Sequence, residues 1–203
     1  FNPRHFLTAC NTKAHTEFLS KLATRVCAVN NNKPIARLES IYQHIFIDEV
    51  QDLAGWDFDV LKALARMNTP ITCVGDFRQT IYSTTSNPKQ PSSNQQKLDA
   101  FTRLRFETEN MSVSRRCIQT ICDFADTIHQ GDGYVPTQSL VGVTPVEFQA
   151  HQGVFIVPKS RLQEYLETYS PVILRSSVAS ARELNVTSIK KVNFGISKGL
   201  SFD

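Results

Sequence analysis

The sequence predicts an α/β fold of parallel sheets flanked by helices, and three observations carry that expectation. The apolar run Ile45-Phe46-Ile47 closes on Asp48-Glu49-Val50-Gln51-Asp52. It reads as a buried parallel strand that delivers carboxylates to its C-terminal edge, where open α/β sheets bind ligands. After a helix-patterned stretch, a second run, Ile71-Thr72-Cys73-Val74, ends in Gly75-Asp76-Phe77-Arg78-Gln79-Thr80-Ile81-Tyr82. Two neighbouring strands are thus expected to present polar groups at one sheet edge. Farther on, short apolar runs alternate with a helical stretch in a βαβ-like pattern.

The elements follow in order. Residues 13–29 carry Phe18, Leu19, Leu22, Ala23 and Val26 at helical spacing, and Asn30-Asn31-Asn32-Lys33-Pro34 punctuates the end. A short segment to Tyr42 leads into the first strand. Residues 56–67, with Phe58, Leu61, Leu64 and Ala65 apolar, form the crossover helix, with Trp56 as a core anchor. Residues 83–97, rich in Ser, Thr, Asn, Gln and Pro, are the best loop candidate, and residues 98–105 read as helical. A boundary is expected near residues 107–113. Beyond it, residues 118–129 form a helix with Ile118, Ile121, Cys122 and Ala125 inward, ended by Gly131-Asp132-Gly133. Residues 143–148, 153–157 and 172–174 read as strands around a helix near 160–169. Arg182 and Glu183 fall on a short helix, and residues 187–194 read as a last strand. No internal repeat is apparent.

The chemistry sits at the strand ends. Adjacent acidic residues after a buried strand are how a Walker B site is built. Asp48 would hold Mg²⁺ through its water shell, and Glu49 would orient and deprotonate the water attacking a γ-phosphate. Gly75 permits a tight turn, and Gln79 can donate and accept hydrogen bonds at a phosphate. In Ser114-Arg115-Arg116-Cys117, an always-charged arginine forks onto phosphate oxygens and stabilises charge during phosphoryl transfer. Asp76 reads as a cap and brace of its turn. His44 is expected at a strand edge, and His5, His15, His129 and His151 lack metal-ligand spacing.

In this order, the segments resemble the UvrD/Rep-type branch of superfamily 1 DNA helicases over roughly residues 41–203. Asp48 to Asp52 is similar to motif II, and Gly75 to Tyr82 to motif III. Ser114 to Cys117 resembles motif IV, Pro171 to Ser177 the strand that follows it, and Ser197-Lys198-Gly199-Leu200-Ser201-Phe202-Asp203 motif V. The resemblance implies a P-loop NTPase (RecA-like) fold present as parts of two lobes. Residues 1–110 would be the C-terminal part of the first lobe, with 1–40 a helical lead-in, and 111–203 the first part of the second. It implies Asp48 as the magnesium residue, Glu49 as catalytic base, Gln51 near the attacking water, Asp52 bracing the loop, Gln79 as γ-phosphate sensor and Arg116 as arginine finger. Arg115, Gly199 and Ser201 would contact the nucleotide, and Tyr82, Ser197 and Lys198 single-stranded DNA.

Several positions depart from the family pattern. Arg115 stands where a tyrosine commonly stacks on adenine, and a guanidinium can stack there too. Ser83-Thr84-Thr85-Ser86-Asn87-Pro88 replaces an aromatic-Arg-Gly-Ala segment, so one base-stacking ring is missing. Ser201 replaces a glutamate that contacts the nucleotide sugar, and Gly195 a histidine. No Gly-x-x-x-x-Gly-Lys-(Ser/Thr) occurs anywhere in the chain, and that loop cradles the β- and γ-phosphates. With a first residue Phe1 and a last residue inside the motif V-like segment, the chain is expected to be a fragment of a longer helicase, inactive without the upstream loop.

Composition is compatible with this reading. A chain of 203 residues buries a substantial core but is short for two complete lobes. Its net charge of +3 suits a phosphate-bearing partner without arguing for one. Cysteines at 10, 27, 73, 117 and 122 form no Cys-x-x-Cys pair, which disfavours zinc and disulfides and fits a reducing cytoplasm. Cys73 and Cys122 read as small core residues. No apolar stretch reaches membrane-span length.

The expected activity is ATP- and Mg²⁺-dependent 3′ to 5′ movement on single-stranded or tailed duplex DNA, with closure of two lobes on ATP assembling the site. The divergence suggests a mobile element or phage defence, with a nuclease or defence protein as a partner. The alternative is a catalytically silent helicase-like module that binds DNA or protein.

Overall fold

Helix α1 (Leu19–Val29) follows a 3-10 turn at Thr16–Phe18, and α2 (Lys33–Ile41) begins directly beyond it. The short segment leading up to Tyr42 is therefore helical. Asn31 and Asn32 take the left-handed conformation that reverses the backbone. Pro34 lies in the first turn of α2, where its missing N–H has no helical partner to lose. This computed structural model describes residues 5–8, 12–80, 89–143, 145–180 and 189–197. The chain divides into two compact units, Phe1–Glu109 and Asn110–Asp203.

In the first unit β1 (Ile45–Ile47), a 3-10 turn (Val50–Asp52), α3 (Trp56–Leu64) and β2 (Ile71–Cys73) form a βαβ unit. β1 and β2 pair in parallel with Ile45 opposite Ile71 and Ile47 opposite Cys73. The pairing continues past the strand ends, where Val74 N donates to Ile47 O at 2.8 Å and Val50 N to Val74 O at 3.1 Å. Ile47 and Cys73 pack on a core of Val50, Phe58, Leu61 and Phe101. Phe58 and Phe101 meet edge to face at 5.5 Å, and Phe101 meets Phe106 at 5.4 Å. Each such buried ring contributes roughly 1.5–3 kcal/mol of transfer free energy. The other sheet face is exposed at Phe46 and Thr72, so β1 is buried on one side rather than both. There His44 stacks on Phe46 and approaches Thr72 Oγ1 at 2.9 Å, a strand-edge residue as expected.

Trp56 is not the core anchor its size suggests. It is half-buried at the start of α3, with Lys89 Nζ 4.2 Å and Lys21 Nζ 5.7 Å from its ring. Lys89 also pairs with Asp59 at 3.1 Å. Helix α4 (Asn94–Arg103) begins inside the expected loop, because Ser93 accepts from Gln96 N and the Gln96 side chain returns to the cap, a capping box. Residues 81–88, which include the first part of that loop, lie outside the described residues.

The second unit contains β3 (Val113–Ser114), α5 (Gln119–Ile128), β4 (Gln138–Ser139), α6 (Leu162–Tyr169), β5 (Ile173–Arg175), β6 (Lys191–Asn193) and α7 (Phe194–Ser197). β3 pairs with β4 and β5 with β6, both in parallel. Cys122 is buried on α5 as expected, but Ala125 is exposed. The apolar runs near 143–157 form no strand among the described residues. Val146–His151 is a 3-10 turn after Pro145, and Val143, Val146 and Ile156 are exposed. Apolar character alone does not make a strand where no neighbour completes the ladder. Leu166 and Ile189, with Leu162 and Ile173 against them, form the small core of this unit. Arg182 and Glu183 lie outside the described residues.

Candidate functional site

Parallel pairing of β1 and β2 brings Asp48-Glu49 and Gly75-Asp76 to the same sheet edge. Asp48 is exposed, and its Oδ1 accepts from Glu49 N at 2.8 Å. Glu49 takes the left-handed conformation, φ 54° and ψ 41°, which is uncommon for a glutamate. Such strain is held in place by surrounding bonds and clusters at functional sites. Here the holding bonds are Val50 N to Val74 O and the Gln51 side chain, whose Nε2 donates to Glu49 Oε2.

Gln51 links the two strand ends. It is fully buried, and its Oε1 accepts from Asp76 N at 3.1 Å. Gly75 passes so close that an added Cβ would lie 2.9 Å from Val50 Cγ2 and 3.0 Å from Val50 N, and closer still to Gln51 Oε1. The Asp76 carboxylate then organises the next turn (Phe77–Gln79). It accepts from Arg78 N and Nε at 3.0 Å each, from Arg78 Nη2 at 3.2 Å and from Gln79 Nε2 at 3.0 Å. Burial pushes the Asp76 carboxyl up, but the hydrogen bonds from Arg78 and Gln79 and the Arg78 charge outweigh it and hold it below its ordinary range. It therefore stays ionised and acceptor-only at neutral pH, the state its donors require. A continuous hydrogen-bonded path results, from Glu49 through Gln51 and Asp76 to Gln79. Cys73 beneath it has its thiol pushed up by burial, which suits a core residue rather than a nucleophile.

Helix α4 seals this edge, and the sequence reading passed over its role. Asn94 Nδ2 donates to Phe77 O at 3.0 Å and Asn94 Oδ1 accepts from Thr80 Oγ1 at 3.1 Å. One turn on, the buried Lys97 donates from Nζ to Gln51 O at 2.6 Å. A signal for Lys97 was present: positions 97, 101 and 104 share one helical face, and Phe101 and Leu104 on that face belong to the core.

In the second unit the Arg115-Arg116 turn follows β3. Ser114 Oγ accepts from Arg116 N at 3.3 Å and Cys117 N at 3.1 Å, and Ser139 Oγ donates to Cys117 O at 2.7 Å. Both arginine side chains are exposed. Ser197 ends α7 with its hydroxyl donating to Phe194 O at 3.0 Å. Tyr82, Lys198, Gly199 and Ser201 lie outside the described residues.

The exposed Asp48 carboxylate would be the residue to hold a hydrated Mg²⁺ ion, which is usually bound through one or two carboxylates. Among the described residues no three His, Cys, Asp or Glu side chains gather into a metal cage, which is the pattern of a closed structural site.

These features define a mixed α/β protein with small parallel sheets, whose polar site lies at the C-terminal edge of its first strand pair. Comparison with known proteins finds a match within the first unit: residues 6–89 match the UvrD/REP helicase N-terminal domain, which supports a UvrD-type helicase. The matched stretch contains Asp48, Glu49, Gln51 and Gln79. A search of curated proteins finds no match. Among the described residues no helix is long and apolar enough to cross a membrane.

Proposed function

We propose that this chain is part of an ATP-dependent DNA helicase that couples ATP hydrolysis to 3′ to 5′ movement on single-stranded DNA, within a P-loop NTPase (RecA-like) framework. The observation that carries the reading is the path from Glu49 through Gln51 and Asp76 to Gln79. A general base must be held in one orientation toward its water, and a coupling residue must report the phosphate's presence elsewhere. One buried glutamine ties the two turns together.

Asp48 would hold Mg²⁺, which supplies charge neutralisation at the β- and γ-phosphate oxygens. Glu49 takes the proton of the attacking water while Gln51 fixes its carboxylate. Gln79, anchored through Nε2 on Asp76, meets the γ-phosphate, so a change there is felt at Asp76 N and Gln51. Arg116 is assigned the charge-stabilising role, and Arg115 and the motif V-like residues Gly199 and Ser201 the nucleotide contacts. Tyr82, Ser197 and Lys198 are assigned to the DNA strand. A phosphate-binding loop, which this sequence does not contain, would have to come from outside it.

The test is ATP hydrolysis, with and without single-stranded DNA, by this chain and by the chain joined to its upstream coding sequence. The longer protein is expected to show DNA-stimulated hydrolysis that Glu49→Gln lowers by about 100-fold or more. Hydrolysis that survives Glu49→Gln, or a longer protein with an intact phosphate loop and no hydrolysis, would overturn the reading.

A further inference from the structure

We propose that Lys97 is a positioning residue for Glu49, acting by fixing the main chain of Gln51. The proposal rests on the reading of Glu49 as the base. Lys97 is 1% exposed and Gln51 0% exposed, and Lys97 Nζ lies 2.6 Å from Gln51 O. An ammonium is costly to remove from water unless its protons meet acceptors, so an apolar residue would be the simpler choice for a helix face that also carries Phe101. Lysine has donors only and Gln51 O is an acceptor at the 3-10 turn that carries the site.

Gln51 is consequently held at three points: its carbonyl by Lys97, its Oε1 by Asp76 N and its Nε2 by the Glu49 carboxylate. The two side-chain contacts have the right geometry only if the main chain beneath them is fixed. Asn94, one helical turn before Lys97, secures the neighbouring turn through Phe77 O and Thr80. The first turn of α4 thus sets both halves of the site from one rigid element. With Lys97 lost, the Gln51 carbonyl has no ammonium to hold it, and the Glu49 carboxylate loses its fixed orientation.

The experiment compares this chain with Lys97→Met, which keeps the length and removes the donor, and Lys97→Arg, which keeps a cationic donor. The Gln51 side-chain amide protons, assigned by their loss in Gln51→Leu, are followed by ¹⁵N-resolved NMR. Wild type and Lys97→Arg are expected to show a dispersed, exchange-protected pair, and folded Lys97→Met a collapsed, rapidly exchanging one. If Lys97→Met does not fold, Lys97→Leu, which also lacks a donor, is read the same way. A folded Lys97→Met or Lys97→Leu protein with the wild-type amide pair overturns the proposal, as does a wild-type pair already collapsed, whatever happens to melting temperature. In the longer protein, Lys97→Met should lower kcat about tenfold or more and Lys97→Arg should restore much of it, because misplacing a catalytic group by a fraction of an ångström is costly. KM for ATP should stay within about twofold, since the group moved acts on the water and not on binding. If the longer wild-type protein shows no hydrolysis, the nucleotide reading fails while the amide pair still decides the role of Lys97.

Discussion

An alanine at position 75 would bring its Cβ to 3.0 Å from Val50 N and 2.9 Å from Val50 Cγ2, and into Gln51 Oε1. Val50 N cannot retreat without losing its 3.1 Å bond to Val74 O, and Gln51 is pinned by Asp76 N. Gly75→Ala is therefore expected to destabilise the first unit by about 1–3 kcal/mol, read as a lower urea midpoint at unchanged slope. An unchanged midpoint would mean that the two strand ends do not approach this closely. The sequence marks Gly75 as special but suggests a tight turn; its φ lies outside the left-handed region, and the need is close approach instead. The placement of Asp48 and Glu49 at the end of β1 was legible because an apolar, strand-like run closes on them. The structural role of Gln51 was not, because nothing local says that its amide spans to the next strand. Lys97 was harder still, since lysine defaults to the surface and only its helical phase with Phe101 argues otherwise.

At the scale of elements, the start of α4 shows what local chemistry decides. Polar composition makes residues 83–97 read as loop, yet Ser93 and Gln96 satisfy each other's backbone donors and start the helix at Asn94. Ser93→Ala should cost about 1 kcal/mol, because one N-terminal N–H then loses its acceptor. The measurement is thermal unfolding together with amide exchange at Gln96. Slow exchange there in the variant would show that the cap contributes nothing. Because the same turn carries Asn94 and Lys97, fraying would also loosen the contacts to Phe77 O and Gln51 O. The β1-α3-β2 unit was legible from its strong apolar periods. Among the described residues the strands expected between 143 and 157 are not formed, because period and apolar content do not state whether a pairing partner exists. Conversely β3 and β4, two residues each, are too short to give any period.

At the scale of the whole chain, the division falls between Glu109 and Asn110, in a stretch from 106 to 112 that has no regular structure. Glu107, Glu109, Asn110 and Met111 are exposed there, whereas Glu39, Glu164 and Glu167 lie within helices whose amides are committed to intrahelical bonds. A protease must draw an extended segment into its cleft, so it cuts where local opening costs least. Under native conditions a glutamate-specific protease is expected to cut after Glu107 or Glu109 before it cuts at Glu39, Glu164 or Glu167, with the products identified by mass. The first unit should then persist, because the aromatic core of Phe58 and Phe101 and the hydrogen bonds that join Glu49 to Gln79 lie wholly within it. Among its described residues the second unit has Leu166 and Ile189 at the centre of its principal apolar cluster and should be degraded faster once separated. An early cut within α2 or α6 would show that those helices open more readily than the 106–112 stretch, and the two-unit division would not describe how the protein yields.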